Sequence, residues 1–160
     1  MENVNIFDGM LGTEVTDMPA HDFATRINFE LKRAERYRIF VSLIVFNLAP
    51  IFDMATDKAK QEESAVNGFL SELGQIIRRS VREIDALSNS GRLKIGLLCP
   101  ETSRQGAEAA AKRIANVLNS FCADYFKRPG DYLIPIEISS FPDAAGARSL
   151  SSYMDEFIEY

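Results

Sequence analysis

The side chains best suited to chemistry in this chain are one histidine and two cysteines, and none of them has the partners that catalysis needs. His21 is the single histidine, which excludes a metal site built from several histidines and weakens any histidine-based triad. It stands beside Pro19 at the start of a helical pattern, where a capping or surface role is expected. Cys99 ends an apolar segment and Cys122 lies in a helical one. Both are predicted to be packed thiols, because no histidine base is placed to activate them.

Length and composition predict one globular, cytoplasmic domain. The 160 residues are 46% hydrophobic and 26% charged, which is typical of a single ordinary domain. The net charge of -5 argues against charge-driven nucleic-acid binding, and two cysteines are too few for a disulfide scaffold. No apolar run has the length that spans a membrane, and no targeting peptide is recognisable, so no membrane insertion is expected. We expect residues 1–18 to form an irregular lead-in and residues 19–160 a single domain.

Hydrophobic periodicity predicts the elements that position these residues. Apolar residues at steps of three and four from Phe23 to Ala34 predict a first helix. The run 39–46 is apolar on both faces, which predicts a central buried strand. The turn Asn89-Ser90-Gly91 between two apolar runs predicts a hairpin, and hence antiparallel pairing. The remaining predicted elements are helices near 66–77, 107–121 and 148–158 and strands at 83–89, 92–99 and 132–141. The order α-β-α-β-β-α-β-α therefore predicts an α+β fold.

The segment Arg82–Thr102 resembles the signature of the GGDEF family, the diguanylate cyclases. That signature reads R-x-x-D, five residues, G-G-D/E-E-F, a few apolar residues and then L-P, and it matches from Arg82 to Pro100 without a gap. Other segments resemble the family's flanking patterns, namely 15–19, 30–36, 109–114 and 138–143. The resemblance implies a nucleotide-cyclase palm with a ferredoxin-like core, whose mostly antiparallel central sheet carries helices on both faces.

The departures from the family pattern imply that cyclase activity is lost. The signature loop falls on Gly91 and Arg92, followed by Leu93 and Lys94 where the family has two acids. The family's first metal-binding aspartate falls on Asn47. Joining two GTP molecules needs divalent cations held by carboxylate oxygens, and an amide, an apolar chain and an ammonium group supply none. We therefore expect no catalytic residues, no metal and no cofactor, and we interpret these five residues as a degenerate active site.

The R-x-x-D element survives as Arg82 and Asp85, and a further family arginine falls on Arg113. In the family this element is an inhibitory site for cyclic di-GMP, so the resemblance implies a ligand site made of these three residues. A guanidinium matches phosphate or guanine O6 and N7, and a carboxylate accepts from guanine N1–H and N2–H. Arg82 and Asp85 would face opposite sides of a regular strand, so they converge only if the chain bends between them.

Simpler interpretations of these residues remain open. Arg82 and Asp85 could form an ordinary surface ion pair, and neighbouring Arg78 and Arg79 could be a solvated helix face. The domain could then be a protein-interaction or dimerisation scaffold without nucleotide binding, with a protein partner or a second copy as its ligand. A terminal aromatic cluster either closes the sheet or presents a patch to such a partner; its members are Tyr153, Phe157 and Tyr160.

Overall fold

A computed structural model describes residues 19–51, 63–89, 93–128, 130, 132–142 and 149–158. The helices are α1 (Ala20–Tyr37), α2 (Glu63–Ser80), α3 (Arg104–Phe126) and α4 (Leu150–Ile158); the strands are β1 (Val41–Asn47), β2 (Ala86–Asn89), β3 (Lys94–Pro100) and β4 (Ile136–Phe141). The predicted lead-in, residues 1–18, lies outside the described residues. The predicted order of elements agrees with the described one, and the main differences lie at the ends of the strands.

The described strands form one antiparallel sheet in the order β2-β3-β1-β4. Helix α2 connects β1 to β2, and α3 connects β3 to β4, so two βαβ units interleave with β1 and β3 in the centre. This is the ferredoxin-like arrangement that the resemblance to the GGDEF family implies. The start of β1 and the ends of β3 and β4 lie at one end of the strands, and the end of β1 and the start of β3 lie at the opposite end.

The core has two layers because helices cover both faces of the sheet. Successive side chains of a strand point to opposite faces. Leu43 and Val45 therefore pack under α1 and α4, whereas Ile44 and Phe46 pack under α2 and α3. This is why β1 is buried at every position from Val41 to Phe46, as the predicted central strand requires.

Two strand boundaries differ from the prediction for local reasons. β2 begins at Ala86 rather than at residue 83, because Asp85 N–H donates to the Arg82 carbonyl at 3.1 Å and closes a turn there. β4 begins at Ile136 rather than at residue 132, directly after Pro135, which has no N–H to donate to a ladder. The Pro135 carbonyl instead accepts from Asn47 N–H at 3.0 Å.

Candidate functional site

The turn between α2 and β2 brings Arg82 and Asp85 together. The bend that the sequence required between them is closed by the Asp85 N–H bond to the Arg82 carbonyl. Arg78, in the last turn of α2, holds both ends of the turn: its Nη1 donates to the Asp85 carbonyl at 2.8 Å and its Nη2 donates to the Arg82 carbonyl. Sequence reasoning left Arg78 as either a source of local positive charge or part of a solvated helix face, and did not predict these bonds. The available signal was an arginine one helical turn before the R-x-x-D element.

Arg82 and Asp85 form an ion pair of which only one partner is exposed. Arg82 Nη2 lies 3.0 Å from Asp85 Oδ1, and the Arg82 backbone N–H donates to Asp85 Oδ2 at 2.9 Å. The Arg82 side chain is 50% exposed, whereas that of Asp85 is 5% exposed. The pair is therefore anchored in the fold on its acidic side and faces solvent on its basic side.

Arg82 is also bonded to the segment that joins β3 to α3. Its Nη2 donates to the Pro100 carbonyl at 2.7 Å and to Thr102 Oγ1 at 2.6 Å. These contacts join residues that are 18 and 20 positions apart, and the sequence alone did not indicate them. They exist because the pairing of β2 with β3 places the end of β3 beside the turn that precedes β2.

Arg113 lies at the same end of β3, on the exposed side of α3. Its Nη2 donates to the carbonyl of Ser80, the last residue of α2, at 3.2 Å. Cys99 lies beneath this group, and burial raises the pKa of its thiol to about 12. The Asp85 charge adds to that rise in pKa, while Arg82 and Arg113 oppose it. The charges of Arg82, Asp85 and Arg113 thus all act on one buried thiol. We call these three residues the arginine site.

The described residues of the predicted degenerate active site lie at the opposite end of the strands. Asn47 and Lys94 are directly opposite each other in the pairing of β1 with β3. Leu93 is 6% exposed and packs in the core under α2 and α3. Its carbonyl accepts from Leu48 N–H at 2.7 Å. Gly91 and Arg92 lie outside the described residues.

Of the predicted degenerate active site, the three described residues, Asn47, Leu93 and Lys94, have no carboxylate to offer a cation. Asn47 Oδ1 accepts from Ala49 N–H at 3.1 Å, so the amide oxygen is used to hold the backbone after β1. Leu93 offers no donor atom, and Lys94 carries a positive charge at physiological pH. Within the described ranges, no three histidine, cysteine, aspartate or glutamate side chains cluster as a metal site would require.

The other singled-out residues have structural surroundings where they are described. Cys122 is buried, which raises the pKa of its thiol to about 11. Tyr153 is buried in the core under α1 and α4, and its hydroxyl donates to Glu137 Oε2 at 2.7 Å. The side chains of His21 and Phe157, and all of Tyr160, lie outside the described residues. The part of the chain that the structure describes contains no helix with the length and apolar character needed to cross a membrane.

Comparison with known proteins identifies the fold. Neither family models nor curated proteins match the chain. Among solved structures, the diguanylate cyclase SiaD of Pseudomonas aeruginosa, crystallised with its activator SiaC, superposes with a TM-score of 0.61 at 14% identity; the match covers 99% of this chain and 60% of SiaD. The FimX GGDEF domain from the same organism gives 0.61 at 16% identity, over 86% of this chain and 82% of that one.

A third similar structure contains a nucleotide. The S helix-GGDEF-EAL portion of Vibrio cholerae LapD, bound to c-di-GMP, superposes with a TM-score of 0.61 at 12% identity, over 96% of this chain and 35% of LapD. At such low identity these matches establish the fold and not the activity. The chain has a GGDEF-like fold, that of the palm domains of diguanylate cyclases.

Proposed function

We propose that this protein is a catalytically inactive GGDEF-like signalling domain that binds cyclic di-GMP at Arg82, Asp85 and Arg113. The observation that carries the proposal is the arginine site itself: a half-exposed guanidinium held by a buried carboxylate, with a second exposed arginine on the neighbouring helix. The choice of ligand comes from the resemblance of the R-x-x-D element to the cyclic di-GMP site of the GGDEF family. A cytoplasmic location is part of the proposal, and both cysteines are free thiols, as a reducing compartment favours.

The proposed inactivity rests on the residues at the end of β1 and around the start of β3. Each GTP carries a triphosphate, and divalent cations held by carboxylates are needed to neutralise its charge. Asn47 and Lys94 offer an amide and an ammonium group, and Leu93 is part of the apolar core. Loss of such charge stabilisation costs several kcal/mol at each position in the transition state.

The arginine site is suited to a phosphate-bearing ligand because some of its N–H donors have no hydrogen-bond partner among the described residues. No described residue accepts a hydrogen bond from Arg82 Nη1, and Arg113 uses only Nη2 among the described contacts. Arg78 and Arg79 add positive charge at the end of α2. Cyclic di-GMP brings two phosphates and two guanine O6/N7 edges, all of which accept hydrogen bonds.

Titration calorimetry with cyclic di-GMP tests the binding proposal. The wild-type chain should show saturable binding, and Arg82→Ala should weaken it by about tenfold or more, because a charge-assisted hydrogen bond is worth about 1.5–3 kcal/mol. Arg36→Ala is the matched control: it removes the same charge from the exposed face of α1, where the guanidinium lies over the Tyr37 ring. Absence of heat at millimolar ligand, or equal losses in the two variants, would contradict the proposal.

Incubation with GTP and Mg²⁺ or Mn²⁺ tests the proposed inactivity. We expect no cyclic di-GMP by liquid chromatography after prolonged incubation, with an active GGDEF enzyme as the positive control. Product at an enzymatic rate would show that residues other than carboxylates at positions 47, 93 and 94 can support the chemistry.

A second candidate function, a protein-interaction or dimerisation scaffold, is favoured by the outer face of α1. Phe29 is 60% exposed and Tyr37 is 61% exposed, eight residues apart on one helix. Exposed aromatic side chains are enriched at interfaces. Sedimentation velocity over a wide concentration range tests self-association: a dimer that dissociates in Phe29→Ser would support the scaffold, and a monomer at every concentration would exclude the homodimer.

A further inference from the structure

The Asp85 carboxylate, which the resemblance implies accepts hydrogen bonds from a guanine base, already accepts hydrogen bonds from Arg82. Its Oδ1 accepts from Arg82 Nη2 at 3.0 Å. Its Oδ2 accepts from the Arg82 backbone N–H at 2.9 Å and from Arg82 Nε at 3.5 Å. The Asp85 side chain is 5% exposed, so its paired carboxylate is nearly closed to solvent. A base edge could reach it only if the Arg82 side chain rotated away.

The backbone acceptors around Asp85 are also engaged. The Asp85 carbonyl accepts from Arg78 Nη1 at 2.8 Å, and the Arg82 carbonyl accepts from Asp85 N–H at 3.1 Å and from Arg78 Nη2. The Pro100 carbonyl accepts from Arg82 Nη2 at 2.7 Å and from Thr102 Oγ1 at 3.0 Å. Within the three residues of the arginine site, the groups left for a ligand are therefore donors, namely Arg82 Nη1 and the Nε and Nη1 groups of Arg113.

We infer that the arginine site recognises only hydrogen-bond acceptors of its ligand, the guanine O6/N7 edge and phosphate oxygens, and that Asp85 is a positioning residue for Arg82 rather than a reader of the guanine N1–H and N2–H groups. The inference rests on the proposed function and assigns the roles within that site. Guanine O6 and N7 are both acceptors and match an arginine fork, whereas adenine presents an N6–H₂ donor beside N7. The site therefore distinguishes guanine from adenine without contacting the guanine 2-amino group.

Cyclic di-IMP tests this directly, because it is cyclic di-GMP without the 2-amino groups. Calorimetry on the wild-type chain should give the two ligands dissociation constants within about threefold of each other, since no hydrogen bond of about 1 kcal/mol or more is lost. Cyclic di-AMP should bind about tenfold more weakly or worse, because discrimination by a bidentate base contact is worth about 1–3 kcal/mol. The wild-type comparison does not depend on whether a variant folds.

Substitution of the two carboxylates in the turn, Asp85 and Glu83, provides a second test of the inference. Asp85→Asn should weaken the binding of cyclic di-GMP and of cyclic di-IMP by the same factor, because the Arg82 side chain that both ligands contact loses the carboxylate that holds it in place. Glu83→Gln, at an exposed position of the same turn, should leave the ratio of the two affinities unchanged. One result would overturn the inference and leave the proposed function standing: the wild type binds cyclic di-IMP at least tenfold more weakly than cyclic di-GMP, and Asp85→Asn or Glu83→Gln abolishes this difference. No binding of either ligand would overturn both.

Discussion

Leu93→Asp, which restores an acid to the signature loop, should destabilise the protein strongly. Leu93 is 6% exposed among the core residues under α2 and α3, and its backbone is tied to Leu48. Removing a buried leucine side chain costs about 2–5 kcal/mol. Placing a polar group there without a hydrogen-bond partner adds about 1–3 kcal/mol. Because Leu93 precedes the first residue of β3 and keeps 6% of its surface exposed, we expect a total of about 3–5 kcal/mol, a large part of the usual 5–15 kcal/mol of a domain.

Urea unfolding followed by far-UV circular dichroism measures this loss, since the chain has no tryptophan to report by fluorescence. Leu133→Asp is the matched control: Leu133 is 85% exposed, so the same chemical change should stay within about 0.5 kcal/mol. Leu93→Ala separates the lost apolar contact from the added charge. Burial raises the pKa of the new carboxyl, so its proton stabilises the folded state below about pH 4 and that contribution is lost as the pH rises through the folded pKa. The gap between Leu93→Asp and Leu93→Ala should therefore narrow as the pH falls toward about 4.

Equal stability losses in Leu93→Asp and Leu133→Asp would refute the reasoning. Leu93 would then not belong to the core, and the account of how an acidic loop position became part of the apolar packing would fail. A large loss that does not change with pH would keep Leu93 in the core but would show that the new carboxylate reaches water.

Further predictions concern residues away from that loop. Gly68→Ala should stabilise the protein by about 1 kcal/mol in urea unfolding, because the position is helical and an added Cβ meets nothing within 4 Å. Gly106→Ala should gain less, since its Cβ would lie 3.1 Å from Thr102 Cγ2; equal gains would contradict this geometry. With the pKa of Cys99 at about 12 instead of the ordinary 9.0, the thiol proton stabilises the folded state below about pH 9, and this contribution is lost as the pH rises through the folded value. The stability of wild type relative to Cys99→Ala should therefore fall above about pH 9, and a difference independent of pH would show a hydrated thiol.

Local patterns were sufficient for most of the architecture. Steps of three and four from Phe23 predicted α1, and an apolar run without a polar face predicted that β1 lies in the centre of the sheet with helices on both sides. The hairpin of β2 and β3 followed from a glycine-containing turn between apolar runs. Such features depend on neighbours in the chain, and local sequence encodes them directly.

The contacts that define the arginine site are of a different kind. The bend at Arg82–Asp85 was expected from spacing, but its clamp by Arg78 and the burial of Asp85 were not. The bonds from Arg82 to Pro100 and Thr102 join separate segments, and they depend on the register of β2 against β3. The sequence by itself thus determined which segments are helices and strands and which residue types are missing from the signature loop. Only the tertiary structure decided that Leu93 joins the core, that Asp85 is buried and that Arg82 bonds to Pro100 and Thr102, because these features are set by chain segments that meet only after the sheet has formed.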